Sequence, residues 1–463
     1  MINLLIIILV LLPTSISFGA ISIFPESYGA YGDNIHDDTT ALNEAIKAAK
    51  DSDIIVGKGV YRVRQLNINK SLHLKNLTLN AINAISKTDK QDVLNISADD
   101  VTISDCKISI NNKLLTNVVN ESCLYALKVK NLKIVNSSFN GSKNLSISSV
   151  AYGLVSIHDS NSIIIENNKI SNAQYEGLLL VNCSNASIVN VSASNCGNSG
   201  IGTTYGTRIS IKNCNVAFCN ASNITLNSTD SVVENCISTD AGTWGINIGH
   251  AHSPANNSIC SKNTIRNAGR LSTGNWGGIQ MQSSSNVIIS YNIIESSHNQ
   301  TIASPKKYNS GITIANKPVS CKIFNNKIDS QPGNGILVYE QDTNADITIS
   351  NNSISNSYAS GIYIHGGKQV KIERNMISNS NRLSLPNHSG IWVASAKGLA
   401  DSIDINSNSI RELAEVKQNH GILVDTSVKS NAINISNNSV NGWRKTATTH
   451  PGNAKKSNNK TTR

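Results

Sequence analysis

The chain has 463 residues, of which 39% are hydrophobic and 5% aromatic, and its formal net charge is +10. Six of the positive charges lie in residues 444–463, which contain no acidic residue, so the rest of the chain carries only about +4. This distribution argues against nucleic acid as a partner. A mildly basic body is compatible with an anionic polysaccharide.

Residues 1–19 are predicted to be a secretory signal peptide. The stretch from Leu4 to Leu12 is continuously apolar, and Pro13 and small residues follow, with cleavage expected after Ser17 or Gly19. That run is too short to span a bilayer, and no other segment of the sequence is long enough to span one. Many Asn-x-Ser/Thr sequons lie inside the repeats described below, which favours a bacterial source. The expected location is therefore secreted or periplasmic.

Residues 20–60 differ from everything after them and are predicted to form a capping segment. A turn-rich loop is followed by Asp37 and Asp38, which suit the N-terminus of a helix. Apolar residues then recur with helical spacing on one face: Ala41, Leu42, Ala45, Ile46 and Ala49. A short amphipathic helix at this point would cover the open apolar end of a solenoid.

Residues 61–443 repeat two short phrases, Asn-Asn-x-Ile and Gly-Ile-x-Ile/Val, at an irregular period of roughly 21 to 34 residues, the range of solenoid repeats. Examples are residues 325–328, 351–354, 335–338 and 361–364. Each unit contains two or three short runs with period 2 and no helical pattern. These features predict a parallel β-helix in which Asn forms the corners and bonds the Asn of the next coil. Residues 444–463 are predicted to be a basic disordered tail.

Nine cysteines occur in the chain, and most are expected to be inward-facing thiols. Cys106 and Cys214 occupy positions where other coils have the repeated Asn. Cys196 and Cys219 follow similar points of successive coils and are the best candidates for a disulfide. No Cys-x-x-Cys motif occurs, so metal binding by cysteine is not predicted.

Three segments near the N-terminus carry a family resemblance: Tyr-Gly-Ala-x-Gly-Asp at 28–33, Asp-Asp-Thr-x-Ala-Leu at 37–42 and Gly-x-Tyr-x-Val at 59–63. Together they resemble the N-terminal signature of the pectate-lyase-like superfamily over residues 25–64. The resemblance implies an all-β, single-stranded, right-handed parallel β-helix (solenoid) with a short N-terminal capping helix. That group holds polysaccharide lyases, polygalacturonase-type hydrolases, uronate epimerases and tailspike depolymerases, so it implies a polysaccharide partner without specifying the reaction. A homotrimer, as in tailspikes, is left open.

Outward residues of neighbouring coils form stripes, and one such stripe carries the first candidate site. Three consecutive coils contribute Tyr339, Glu340, Asp342, Tyr363, His365, Lys368 and Trp392. Aromatic faces stack on sugar rings, and Tyr, His and Lys can supply the base and acid of β-elimination at a uronate C5. We predict these catalytic residues: Tyr363, His365, Lys368 and Glu340. We predict these substrate-binding residues: Tyr339, Trp392, Asn247 and Gln280. The alternative is that the aromatic rings only stack on one another.

For β-elimination, Tyr363 or His365 would be the base, and Lys368 or Arg374 would neutralise the carboxylate. A second cluster comprises Trp244, Asn247, His250 and His252, with His158, Asp159, Asp230 and Asp240 from earlier coils. Two histidines without a defined third ligand do not predict a metal site. No cofactor is predicted; calcium stays open, although the Asp-rich cluster of calcium-dependent pectate lyases is missing.

The sequence departs from several relatives. Ile364-His365-Gly366-Gly367 only approximates the Gly-His-Gly of polygalacturonases, and no convincing carboxylate pair for inverting hydrolysis is found. The Asp-Pro-His element of mannuronan epimerases is absent from the sequence. The leading hypothesis is an exported carbohydrate-active protein that cleaves an acidic polysaccharide by β-elimination. The alternatives are a hydrolase of the same fold and a non-catalytic glycan-binding or cell-surface scaffold.

Overall fold

The computed structural model describes residues 20–82, 91–110, 121–142, 152–271, 276–296, 310–339, 344–382, 388–394, 400–412, 419–426, 428, 433–443, 446–449 and 455–462. The predicted signal peptide lies outside them. Among the residues described, none of the helices is both long and apolar enough to cross a membrane.

The strands form three rows, and all pairings between strands are parallel. Row 1 contains Leu66–Ile68, Gln91–Ile96, Glu121–Leu127, Gly153–His158, Glu176–Val181, the first half of Ile201–Lys212, Ile224–Thr229, Ile246–Ile248, Ile279–Gln282, Ser310–Ala315, Asn334–Tyr339, Ile362–His365, Ser389–Ala394, His420–Val424 and Thr446–Thr449.

Row 2 contains Ser22–Ile23, Ile54–Val56, His73–Lys75, Thr102–Ser104, Lys133–Val135, Asn161–Glu166, Ser184–Val189, the second half of Ile201–Lys212, Val232–Glu234, Ile259–Ser261, Ser285–Ser290, Val319–Phe324, Asn344–Ser350, Gly367–Glu373, Ala400–Asn406, Ile433–Ser436 and Lys455–Ser457. Because Ile201–Lys212 runs through the corner, rows 1 and 2 join into one 31-stranded sheet.

Row 3 contains Asp33–Asp37, Val60–Val63, Thr78–Ala81, Lys107–Ser109, Ser138–Asn140, Lys169–Ser171, Ser192–Ser194, Asn215–Ala217, Ile237–Thr239, Thr264–Arg266, Ile293–Glu295, Lys327–Asp329, Ser353–Ser355, Met376–Ser378, Ser409–Arg411, Ser439–Asn441 and Lys460–Thr462. The chain passes through rows 1, 2 and 3 in turn, so each circuit is one coil. The predicted all-β parallel β-helix is confirmed.

The first coil is covered by a 3₁₀ turn, Pro25–Tyr28, and the α-helix Thr39–Ala48. The helix buries Leu42 and Ile46 in the same apolar core that fills the solenoid. Asp37, rather than the N-cap Asp38, accepts a hydrogen bond from the Thr39 amide. Asp38 instead accepts bonds from Tyr31 and Gly32 in the preceding loop, which ties that loop to the helix. The predicted capping helix is therefore confirmed.

A ladder of buried asparagines runs along the corner between rows 2 and 3. Each member before the last donates its backbone N–H and its Nδ2 to the Oδ1 of the next, at 2.9–3.1 Å, and the last member, Asn459, is only partly buried. The members are Asn263, Asn292, Asn326, Asn352, Asn375, Asn408, Asn438 and Asn459. In several coils the residue before the ladder position is also Asn, and Asn325, Asn351 and Asn437 adopt left-handed φ values of 54–56°. The Asn-Asn phrase is thus one corner residue followed by one ladder residue.

The segment predicted to be a disordered tail contains strands instead. Thr446–Thr449, Lys455–Ser457 and Lys460–Thr462 pair in parallel with the strands of the preceding coil. Asn459 accepts the ladder bonds of Asn438. The prediction gave too much weight to the positive charge and missed that Asn458-Asn459 repeats the corner phrase.

All nine cysteines are buried, and none forms a disulfide within the part of the chain that the structure describes. The predicted Cys196–Cys219 disulfide is therefore wrong. Each of the two thiols donates instead to a carbonyl of its own coil, those of Ser194 and Ala217. Burial raises the pKa of Cys106, Cys260 and Cys321 to about 12, so these thiols stay protonated within the core.

Replacing one ladder residue tests how much the corner stabilises the fold. Asn352→Ala is expected to lower the free energy of unfolding by about 3 kcal/mol, because the buried carbonyl of Ile323 and the amide of Asn326 both lose a partner. Asn434→Ala is the matched control, since the exposed Asn434 bonds only at the surface. Urea unfolding measures both variants; equal midpoints would contradict a stabilising ladder.

Candidate functional site

The outer side of row 1 carries a second, smaller apolar cluster, separate from the interior core. It contains Leu337, Tyr363, Trp392, Ala394 and Leu423, with Tyr339 packed against it. Tyr363 is 1% exposed and its ring stacks on Trp392, with centroids 4.1 Å apart and planes at 8°. These two rings therefore stack on each other. For this pair, the alternative given for the predicted aromatic residues, that their rings only stack on one another, is what the structure shows.

His365 lies beside this cluster on the row 1 strand that follows Tyr339. The two rings are parallel within 3°, with centroids 5.1 Å apart, and His365 also meets Tyr363 edge-on at 5.6 Å. His365 is partly exposed, unlike Tyr363. Two glycines with φ values of 95° and 126° turn the chain into row 2, where Lys368 is also partly exposed. Glu340 and Asp342 lie outside the described residues.

A cleft of about 240 Å³ opens on the same face, next to Tyr339. Its lining residues are Trp244, Gln280, Thr313, Ala315, Asn316, Leu337 and Tyr339. The cleft thus joins two predicted substrate-binding residues, Gln280 and Tyr339, and Asn247 is the register neighbour of Gln280 on the adjacent strand. Trp392 is two strands beyond Leu337 and does not line it.

Three polar side chains contain buried atoms without a hydrogen-bond partner in the described part of the chain; two of them line the cleft, and the third, Asn247, lies on the strand next to Gln280. They are the indole Nε1 of Trp244, the hydroxyl of Thr313 and the Oδ1 of Asn247. Trp244 packs edge-on against Trp276, with ring centroids 6.2 Å apart. An unpaired buried polar group costs about 1–3 kcal/mol, so a ligand that pairs with these atoms would regain that free energy.

The second predicted cluster does not come together. His250 and His252 lie near each other on an exposed turn, with rings 5.7 Å apart. His158 lies several coils away, where its Nε2 is 2.8 Å from the Ser156 hydroxyl and its ring meets Tyr125 and Tyr152. Among the residues described, no group of three or more His, Cys, Asp or Glu side chains is placed to hold a metal ion.

The sequence profile of the family described as "Right handed beta helix region" matches residues 134–270 and 277–461. The chain belongs to this family. This assignment and the parallel rows confirm the β-helix superfamily that the N-terminal signature resembles. No curated protein shows a significant match to the sequence.

Two solved structures illustrate the likeness. A mutant tailspike protein of the E. coli bacteriophage HK620, in complex with a pentasaccharide, is 11% identical, with 94% of this chain and 80% of that chain covered and a TM-score of 0.55. The catalytic unit of a thermostable GH87 alpha-1,3-glucanase from Streptomyces thermodiastaticus is 14% identical, with 92% and 70% covered and a TM-score of 0.52. At these identities the likeness shows the fold alone.

Glu176 is not among the residues predicted from the sequence, and it lies at the start of a row 1 strand of this β-helix protein. Its carboxylate accepts a bond from Asn198 Nδ2 at 3.3 Å and extends over Gly202, where a side chain would come within 3.1 Å of it. Desolvation raises the pKa of Glu176 to about 7. The sequence does mark Glu176 as unusual. Most other coils place an uncharged residue before the row 1 glycine, such as Ser310, Asn334 or Ser360.

The raised pKa of Glu176 predicts a pH-dependent stability. Because the folded-state pKa lies above the usual 4.5, the folded protein holds this proton more tightly, and stability falls as pH rises from about 4.5 to 7. Glu176→Gln removes this loss, so the variant should melt at a higher temperature than the natural protein at pH 8 and not at pH 4.

Glu234→Gln is the opposing control for this test. Hydrogen bonds and charge from Lys262 and Lys212 lower the pKa of Glu234, so its stabilisation is present above the usual pKa and is lost in acid. The control should therefore melt at a lower temperature than the natural protein at pH 8. Thermal melts between pH 4 and pH 8 measure all three proteins. A Glu176→Gln melting profile parallel to that of the natural protein would contradict the raised pKa.

Proposed function

We propose that this protein acts on a polysaccharide that lies along the outer face of row 1. The observation that carries the proposal is the cleft beside Tyr339, where aromatic rings and unpaired buried polar atoms stand together on aligned parallel strands. Ring faces of aromatic residues stack on pyranose rings, while buried polar atoms provide directional hydrogen bonds. The glycans named for the tailspike complex and the glucanase, two proteins of similar fold, support the same substrate class.

We propose further that the reaction is β-elimination at a uronate, with His365 as the base. Of the two candidate bases, His365 is partly exposed and stacks on the cleft residue Tyr339, whereas Tyr363 is 1% exposed. Neutral His365 would take the C5 proton as the glycosidic bond breaks. We assign Tyr363 to holding the His365 ring, which it meets edge-on.

Lys368 is the cation proposed to neutralise the uronate carboxylate. It follows His365 after Gly366 and Gly367 and is partly exposed. Arg374, the alternative, already forms an ion pair with Glu373 at 2.7 Å. Glu340, which lies outside the described residues, stays a predicted catalytic residue. The same proposal includes an anionic substrate and secretion or export to the periplasm. It is compatible with both a monomer and a homotrimer.

Conservative variants of the two candidate bases test the assignment. His365→Gln is expected to lower the rate of unsaturated product formation about 10²- to 10⁴-fold, since the base is lost while a polar side chain remains. Tyr363→Phe keeps the stacked ring and loses only the hydroxyl, so most of the activity should remain. The assay follows ultraviolet absorbance and new reducing ends together, on pectins, alginates and other uronic-acid polymers. Equal losses in the two variants would contradict His365 as the sole base.

The same assay separates the two other functions. Reducing ends without absorbance would indicate hydrolysis, with the carboxyl of Glu176, whose pKa is about 7, as the first proton donor to replace. The uncharged lining of the cleft favours a second candidate, a non-catalytic glycan-binding protein. That function predicts retention on an immobilised polysaccharide without products, and loss of retention in Tyr339→Ala.

A further inference from the structure

The polar atoms at the cleft have fixed hydrogen-bonding roles. The indole Nε1–H of Trp244 can only donate, and the Oδ1 of Asn247 can only accept, while the hydroxyl of Thr313 can do both. All three are unpaired within the described residues, and their side chains are 3%, 9% and 6% exposed. Trp244 and Thr313 line the cleft itself. A ligand seated there has to present an acceptor to Trp244 and either a donor or an acceptor to Thr313, and a ligand that extends to Asn247 has to present a donor to its Oδ1.

The lining also restricts the charge of that ligand. None of its seven residues is Asp, Glu, His, Lys or Arg, so the lining carries no formal charge. A carboxylate in this cleft would lose water without gaining a counter-charge, which is costly. Ala315 and Leu337 add apolar surface beside Thr313. The chemistry favours a neutral amide with a small apolar end over a carboxylate or a bare hydroxyl.

We propose that the cleft binds the acetamido group of an N-acetylhexosamine. The acetamido carbonyl accepts from Trp244 Nε1, its N–H donates to the Thr313 hydroxyl, and its methyl group contacts Ala315 and Leu337. Asn247 lies two strands from Thr313, about 10 Å along the axis, and accepts a hydroxyl of the neighbouring sugar. This inference rests on the proposed function, and it narrows the substrate to a glycan in which N-acetylhexosamine and uronate residues are neighbours.

Oligosaccharides that differ only at C2 test the acetamido contact. Chitotetraose and cellotetraose share their linkage. At C2 of each residue, chitotetraose carries an acetamido group and cellotetraose a hydroxyl. Hyaluronan and chondroitin add uronate neighbours, and tetragalacturonate provides uronate alone. Calorimetric titration of the full chain should show chitotetraose or the two alternating polymers binding at least about 10-fold more tightly than cellotetraose and tetragalacturonate. Equal affinity for acetamido and hydroxyl sugars, or binding of tetragalacturonate alone, would overturn the inference.

Two variants that each remove one hydrogen-bonding group locate the contact. Thr313→Val and Trp244→Phe should each reduce the preference for the acetamido sugar over cellotetraose about 10-fold. Thr348→Val makes the same chemical change on row 2 and should have no effect. A preference that survives both variants would place the acetamido group elsewhere and overturn the inference. Unsaturated products from a uronate-only polymer, without any acetamido preference, would refute this inference alone and leave the proposed function standing.

Discussion

The fold depends on one constraint: each coil must hydrogen-bond the next in a single register. Backbone bonds between parallel strands would tolerate a slip, but the buried asparagine ladder does not. Asn352, for example, accepts two bonds from Asn326 and donates two to the Oδ1 of Asn375, so a shifted coil would leave several buried polar groups unpaired. In the coils of the ladder, the corner between rows 2 and 3 thereby aligns the outward residues of row 1 into straight stripes.

That alignment has two different uses on the outer face of row 1. Towards the C-terminus, large aromatic rings meet in register, and Tyr363 and Trp392 stack closely enough to form an external apolar cluster. Nearer the middle, the same stripe has Asn247, Gln280 and Thr313, which are smaller and polar. The cleft opens where the small polar residues meet the aromatic ones, so its position follows from a change of residue size along one stripe.

At the cleft and at Glu176, buried polar groups lack part of the hydrogen bonding or hydration that they would have in water. Trp244 and Thr313 have buried polar atoms that find no partner among the described residues, and Glu176 holds a carboxyl in a desolvated position. Each of these features lowers the stability of the fold. The asparagine ladder and the continuous apolar interior provide the stability that tolerates them. A rigid solenoid that presents unsatisfied groups on one face is suited to binding, because ordering those groups costs little when a ligand arrives.

The sequence by itself determined the β-helix, since the repeat of corner, ladder and strand residues is local and each coil repeats the rule. It also identified the capping helix and placed Gln280 and Tyr339 on one outer stripe. Only the tertiary structure decided which residues of that stripe are buried: Tyr363 and Tyr339 both take outward positions on row 1 strands, yet Tyr363 is 1% exposed and Tyr339 lines the cleft. The same holds for the absence of a disulfide between Cys196 and Cys219 and for the raised pKa of Glu176. Burial, desolvation and unpaired polar atoms depend on contacts between side chains of coils more than 20 residues apart. The repeat pattern aligns those coils, but it does not specify which side chains come into contact.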